Sequence, residues 1–414
     1  MLAATPRRIP DMPKRLPRVE FIALIAMLFA TIAFSIDSML PALPEIAQEL
    51  TPGNPNRAQL ILTSFVLGMG LATIFTGPLS DTYGRRPVIL GGATVYILGA
   101  IIAWRSSTLE MMLLGRLVQG FGAAGPRIAA IAIVRDLYAG REMARLMSFV
   151  MMVFTLVPAV APTIGAGIIA LTGWRGIFGS FLLFSLLSAA WMMLRQEETL
   201  EPANRRPFSP SALYRGVVEV LSNRVVLIAV AAQGFCFSIL FANISSIQPI
   251  FDITFDEGAH FPLWFGMIGL FAAGSSLLNA TLVGRYGMRR LATYALALQF
   301  GISAVVSVLF AEGWLPANSG FVVYLLWTCS VFFLNGLTLG NLNSIAMEPM
   351  GHLAGLAASV LGSVGTVIAV ALAVPIGLAF DGTPLPLMVS TALLAAISLI
   401  LVLRIRRVQG ALPA

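Results

Sequence analysis

The sequence predicts an all-α membrane protein of twelve transmembrane helices in two pseudo-symmetric six-helix bundles. Three observations carry that expectation. The 414 residues are 58% hydrophobic and only 11% charged, whereas soluble domains carry roughly 25% charged residues. The apolar residues fall in continuous runs near the roughly 20 residues that cross a bilayer as a helix, and twelve such runs need about 240 residues, in line with the hydrophobic fraction. The basic residues gather in alternate intervals between the runs. Disorder is excluded, because it needs low hydrophobicity and high net charge. A disulfide scaffold is excluded by the two cysteines, Cys236 and Cys329, which both lie inside apolar runs. The runs show no dyad alternation, so they do not read as barrel strands.

Span 1 (20–44) follows a basic arm, 1–19, rich in proline (Pro6, Pro10, Pro13, Pro17). It is too long for a signal-peptide core, lacks an Ala-x-Ala cleavage pattern and contains Asp37, so it reads as retained. Spans 2 (58–78) and 3 (87–105) flank a short polar loop. Span 4 (109–134) holds Arg116 and Arg127, and span 5 (143–171) holds Pro158 and Pro162. Span 6 (175–194) closes a first bundle, 20–194, and the longest polar interval, 195–223, reads as a cytoplasmic linker. Spans 7 to 12 (224–250, 261–283, 289–311, 319–346, 353–379, 384–404) form a second bundle, 224–405, before a short tail, 406–414.

With the N-terminus inside, 21 of the 26 basic residues fall on the inner side. They are Arg7, Arg8, Lys14, Arg15 and Arg18; Arg85 and Arg86; Arg135, Arg141 and Arg145; Arg195, Arg205, Arg206, Arg215 and Arg224; Arg285, Arg289 and Arg290; and Arg404, Arg406 and Arg407. Only Arg57, Arg105 and Arg175 fall outside. One miscounted span would invert every later interval, so the asymmetry predicts an even number of spans and both termini in the cytoplasm. The net charge of +7 is read as helix orientation and contact with anionic lipid. No basic run is interleaved with aromatics, so nucleic acid is not an expected partner.

The two bundles read as a repeat. At a shift of 203 residues, Leu79 meets Leu282, Tyr83 meets Tyr286, Gly84 meets Gly287 and Arg86 meets Arg289. Parallel repeats joined by a linker are a transporter pattern, with cargo held between the halves near the midplane. Within the spans, charges are few: Asp37, Arg116 and Arg127, with Glu348 near the inner end of span 10. Such charges are costly in lipid and mark working sites. The chain has one lysine, Lys14, outside any phosphate-loop pattern, and two histidines, His260 and His352, far apart in sequence. Nucleotide-driven pumping and intramembrane hydrolysis are therefore not expected, and no cofactor or metal is called for.

The segment Gly77-x-Leu79-Ser80-Asp81-x-x-Gly84-Arg85-Arg86-x-x-x-Leu90 resembles the loop 2–3 signature of the major facilitator superfamily at every expected position. The fit extends over nearly the whole chain. Gly115-Arg116-x-x-Gln119-Gly120-x-Gly122 resembles the superfamily's span 4 motif, and Pro162-x-x-Gly165 its antiporter motif, with Ala161 and Ala166 replacing glycines. Ser35-x-Asp37-x-x-x-Pro41-x-x-Pro44 is similar to the Bcr/CflA (bicyclomycin/chloramphenicol resistance) branch of drug–proton antiporters. Gly355–Ser359 and Asp381–Leu387 point the same way. Where that branch often carries an arginine four residues before Arg135-Asp136, this chain has Ile131, with Arg127 one turn earlier.

The resemblance implies a secondary active efflux transporter. It would export small, largely apolar drugs or metabolites in exchange for protons by alternating access, as a monomer in the bacterial inner (plasma) membrane. Asp37 is the expected proton carrier, with Arg116 and Arg127 as coupling charges; a static Asp37–arginine pair is the alternative. Gly77, Asp81, Gly84, Arg85, Arg86, Arg135 and Asp136 form the expected gate, with Asp81 placed to pair across the inner gap between the halves. Arg135, Asp136, Arg141, Glu142 and Arg145 suggest an ion-pair cluster at the inner ends of spans 4 and 5. Met39, Gln119, Asn243, Gln248, Phe332, Phe333 and Asn335 are the cargo candidates, while Asn341 and Asn343 can instead bond neighbouring helices. A proton-coupled symporter importing a small nutrient on the same fold is the rival reading.

Overall fold

The computed structural model describes residues 16–316 and 319–410, with the backbone alone for Ala144 and 406–410. Most of the basic arm, with Arg7, Arg8, Lys14 and Arg15, lies outside the described residues, as do 411–414 and the side chains of Arg406 and Arg407. Every apolar run is helical. Span 1 is α1 (Arg18–Asp37), a break with a 3-10 turn at Leu40–Ala42, and α2 (Leu43–Leu50). Then come α3 (Leu60–Tyr83), α4 (Arg85–Trp104), α5 (Leu109–Leu137), α6 (Gly140–Thr172) and α7 (Arg175–Arg195). The second bundle is α9 (Arg224–Pro249), α10 (Phe261–Tyr286), α11 (Met288–Ala311), α12 (Gly320–Met347), α13 (Ala354–Leu378) and α14 (Leu385–Gly410). No strand occurs among the described residues.

Among the described residues, eleven stretches are long and apolar enough to cross a bilayer. One of them, Gly320–Leu378, has 59 residues, about 88 Å of helix at 1.5 Å per residue, so it must fold back. It does so at Glu348–Leu353, where Met350 leaves helical geometry (φ −109°, ψ 22°). The chain therefore crosses twelve times.

The local sequence explains the ends of several helices. Thr108 accepts from the Met111 amide at the start of α5, and Asn223 accepts from Val225 and Val226 at the start of α9; both are N-caps. Gly84 (φ +107°) and Gly287 (φ +79°) make the same left-handed turn before α4 and α11, a conformation that glycine alone adopts without strain. The repeat is thus present in backbone geometry as well as in letters. The polar interval is not all loop: α8 (Pro210–Ser222) forms within it. Ser209 caps α8 and Pro210 starts it, and Gly216 and Val220 supply its buried face.

In the first half α5 packs between α3 and α4, while α1 lies on α6 and α7. Small residues set that spacing. A side chain at Gly120 would overlap the Phe65 carbonyl of α3, and one at Gly122 would overlap the Tyr96 backbone of α4. In the second half α9 packs on α12, α13 and α14. The halves meet along α3 against α13 and α6 against α10.

Candidate functional site

The charges inside the spans come first. Arg116, Ala123 and Arg127 are seven and eleven residues apart, so they share one face of α5. Arg116 is fully buried, and no carboxylate meets it. Its Nη2 donates to Ser35 O of α1 (3.0 Å), its Nε to Ile61 O of α3 (3.3 Å) and its Nη1 to Gln119 Oε1 (2.7 Å). The guanidinium also lies 4.4 Å from the Phe65 ring centroid, a cation–π contact. The same Ser35 shares a hydrogen bond with the Tyr96 hydroxyl of α4. One cation thus ties α1, α3 and α5 together, with α4 joined through Ser35.

Asp37 is the last residue of α1 and only 5% exposed. It makes no hydrogen bond or ion pair among the described residues. The static arginine pair is not formed: Arg116 reaches the backbone two residues earlier instead. The next residue, Ser38, presses its carbonyl against Gly165 of α6, where any Cβ would overlap it. The antiporter-like segment therefore abuts the break in span 1. Pro158 and Pro162 leave α6 one continuous helix. Arg127, about three turns from Arg116, is half-buried and has no partner among the described residues.

The loop 2–3 signature forms a second cluster. The Arg85 side chain, 4% exposed, bridges Asp81 (Nη1 to Oδ1, 2.6 Å) and Asp136 (Nε to Oδ2, 2.9 Å). Asp81 thus pairs inside its own half rather than across the gap. Arg86 donates to Met193 O at 2.6 Å, and Gly77 faces Ser359 of α13. Arg135 is exposed and outside the cluster, and Glu142 pairs with Arg18 of α1 at 2.7 Å. Glu20 of span 1 pairs with Arg195 of span 6 at 2.6 Å, so the ion pairs at this end join spans 2, 3 and 4, spans 1 and 5, and spans 1 and 6, rather than spans 4 and 5.

Sequence reasoning missed Glu198. Its carboxylate accepts from the Arg85 and Arg86 amides (2.9 and 3.0 Å) and from Thr199 and Leu200. It caps the N-terminus of α4 from the linker, where a negative charge is favoured. Thr199 Oγ1 donates to Asp136 (2.9 Å), and the Arg206 amide donates to Asp81 O (3.0 Å). A Cβ at Gly84 would lie 2.6 Å from Glu198 Oε2, so that glycine serves the close approach as well as the turn. The only signal in the letters was the Glu197-Glu198 pair just past span 6.

The seven cargo candidates do not converge. Met39 and Gln119 are buried, Met39 in the span 1 break and Gln119 against Arg116. Asn243 turns toward α14, donating to Ile239 O (2.8 Å) and Thr391 Oγ1 (3.5 Å). Asn335 donates to Val331 O of its own helix (2.9 Å). Phe333 lines a cavity of about 380 Å³ formed by α10, α11 and α12 alone, its ring tilted against Phe271 (5.3 Å between centroids), so it faces sideways within the second half. Phe332 packs on Phe265 of α10 (5.8 Å). Gln248 lines a different cavity, between the halves at the end opposite the signature. Asn341 bonds Asn279 of α10 (2.7 Å), as the alternative reading has it, and Asn343 is exposed.

At that opposite end the halves are joined by hydrogen bonds. Asn56 Nδ2 donates to Leu378 O (3.2 Å) and Phe380 O (2.6 Å), and Ser246 Oγ donates to Gln59 Oε1 (3.1 Å). All three of these hydrogen bonds cross between the bundles.

Comparison with known proteins agrees with this architecture. The sequence profile of the Major Facilitator Superfamily matches residues 23–374. The bicyclomycin resistance protein homolog of Haemophilus influenzae is 31% identical over 352 residues, covering 83% of this chain and 85% of that protein. The chloramphenicol resistance protein of Pseudomonas aeruginosa is 35% identical over 159 residues, 38% of each chain. Among solved structures, a D-xylose-proton symporter superposes with a TM-score of 0.74 at 13% identity, over 94% of this chain and 97% of that one. That last likeness speaks for the fold alone.

Proposed function

Since the chain belongs to the Major Facilitator Superfamily, we propose that it exports small, largely apolar drugs or metabolites in exchange for protons by alternating access. It is a multi-pass membrane transporter rather than an enzyme, and its resistance-protein relatives support drug efflux. The signature end faces the cytoplasm, as the distribution of arginines requires. Hydrogen bonds between the halves at the opposite end support a conformation that takes cargo from inside.

The observation that carries the coupling is Asp37: a buried carboxylate without a counter-ion, at the point where span 1 breaks. A charge there is costly unless it is paired or neutralised. Taking up a proton removes that cost, and losing it restores the charge beside Ser38 and Gly165. Asp37 is therefore the proton carrier. Arg116 is the coupling charge, since it holds the α1 backbone two residues away and feels any shift of that helix. Arg127 supplies a second unpaired charge on the same face, in place of the arginine missing at Ile131. Pro162 and Gly165 keep α6 close to the break, and the Asp81–Arg85–Asp136 cluster is the gate that rearranges when the inner side closes.

The test is proton movement in inverted vesicles holding a pre-formed gradient. Added drug should release the gradient with the native protein and leave it intact with Asp37→Asn. Full drug-driven proton release by Asp37→Asn would remove Asp37 from the mechanism. Proton movement in the same direction as the cargo would replace export with symport.

A further inference from the structure

The cavity at the closed end has a volume of about 370 Å³ and walls from both halves. On one side are α2 and the 3-10 turn Pro55–Gln59; on the other are the end of α9 and the π-turn Ile250–Thr254. One buried polar atom in it, Gln59 Nε2, lacks the partner that buried groups normally have, and Gln248 and Asp252 line it as well. Gln59 is 5% exposed; its Oε1 accepts from Ser246, but its Nε2 has no partner. Gln248 is 4% exposed and makes no hydrogen bond among the described residues. Asp252 is half-buried and makes neither a hydrogen bond nor an ion pair among them. No lysine or arginine lines the space, and Leu43, Pro44 and Pro249 give it apolar walls. Its volume lies in the range of small-molecule pockets, roughly 300–1,000 Å³.

A carboxylate with no counter-ion, two amides with free valences and apolar walls together suit one class of ligand: a small organic cation that also carries hydrogen-bonding groups. We propose that this cavity is a second ligand site for such a cation, separate from the Asp37–Arg116 centre. The assignment of the face as the release side rests on the transport reading above; the binding chemistry does not. A cation seated here touches α2 and α9 at once, so it must leave before the halves can part. Accumulated outside, it therefore slows export by holding this end shut.

Ethidium, a fluorescent organic cation with amino groups, serves as the probe, titrated into the full chain in lipid nanodiscs. Asp252→Asn should weaken binding by about tenfold, the scale of losing one partly desolvated charge contact, and Asp252→Glu should restore most of it. Gln248→Leu should weaken binding as well, while Asp37→Asn should leave this site's affinity unchanged. In right-side-out vesicles, external ethidium should slow drug export by the native protein and not by Asp252→Asn. Equal ethidium affinity in the native protein and Asp252→Asn overturns the proposal. Intact binding with no proton-coupled export would overturn the transport reading and leave this site standing.

Discussion

A methyl group at Gly165 would run into the carbonyl of Ser38, so Gly165→Ala must push α6 away from the break beside Asp37. Overpacking of this kind costs about 1–3 kcal/mol. The expected outcome is a lower melting temperature in detergent together with slower proton-coupled export. A variant at Gly167, where a Cβ meets nothing within 4 Å, should be close to neutral in both measurements. At this scale the letters single out the charges inside the spans, because a charge in lipid is rare enough to stand out. They were silent about what those residues touch. Arg116 is held by the carbonyls of Ser35 and Ile61, and a backbone carbonyl leaves no mark in a sequence. Asp37 reads equally well as half of an ion pair or as a lone carboxylate until the neighbouring helices are in place.

Among the elements, α4 shows how a local rule and a distant partner combine. Gly84 supplies the turn, and Glu198 supplies the acceptors for the first amides of the helix. Glu198→Ala should cost about 1–2 kcal/mol, the upper range for a lost N-cap, and should loosen Arg85 between Asp81 and Asp136. The check is thermal stability together with export rate, with Glu198→Gln recovering part of both because its amide oxygen still accepts. The turn was legible at residue 84 and again at residue 287. The cap was not, because it comes from 112 residues away. The helix α8 was legible in principle, since Ser209-Pro210 is a helix start, but the polar composition of 195–223 read as linker. The expected cluster of spans 4 and 5 failed for a related reason: spacing along a chain says which charges are near one end of the bundle, not which of them pair.

For the whole molecule, the hydrogen bonds at the closed end are expected to favour the state shut at that end. Asn56 donates to the carbonyls of Leu378 and Phe380, capping the free end of α13 from the opposite half. Each such bond contributes about 1 kcal/mol net. Asn56→Ala, which removes two of them, should therefore shift the equilibrium about thirtyfold toward the state open at this end. A cysteine introduced at Ala47, which lines the cavity there, in a background lacking Cys236 and Cys329, should be alkylated faster from outside by about that factor. An unchanged alkylation rate would mean that Asn56 does not bear on the equilibrium.

Composition and spacing, which are one-dimensional quantities, determined the twelve crossings, the repeat, the sidedness of the arginines and the short roster of charges inside the spans. The tertiary structure alone decided that Arg116 grips α1 through its backbone, that Asp37 stands unpaired next to the Ser38 carbonyl that meets Gly165, that Phe333 looks sideways and that the halves are hydrogen-bonded at one end. The reason lies in the solvent. In water a helix shows its buried face by contrast with its polar one. In lipid both faces are apolar and association rests on packing and a few polar contacts, so the rotation of each helix, and with it every contact between spans, is settled only when all the helices pack together.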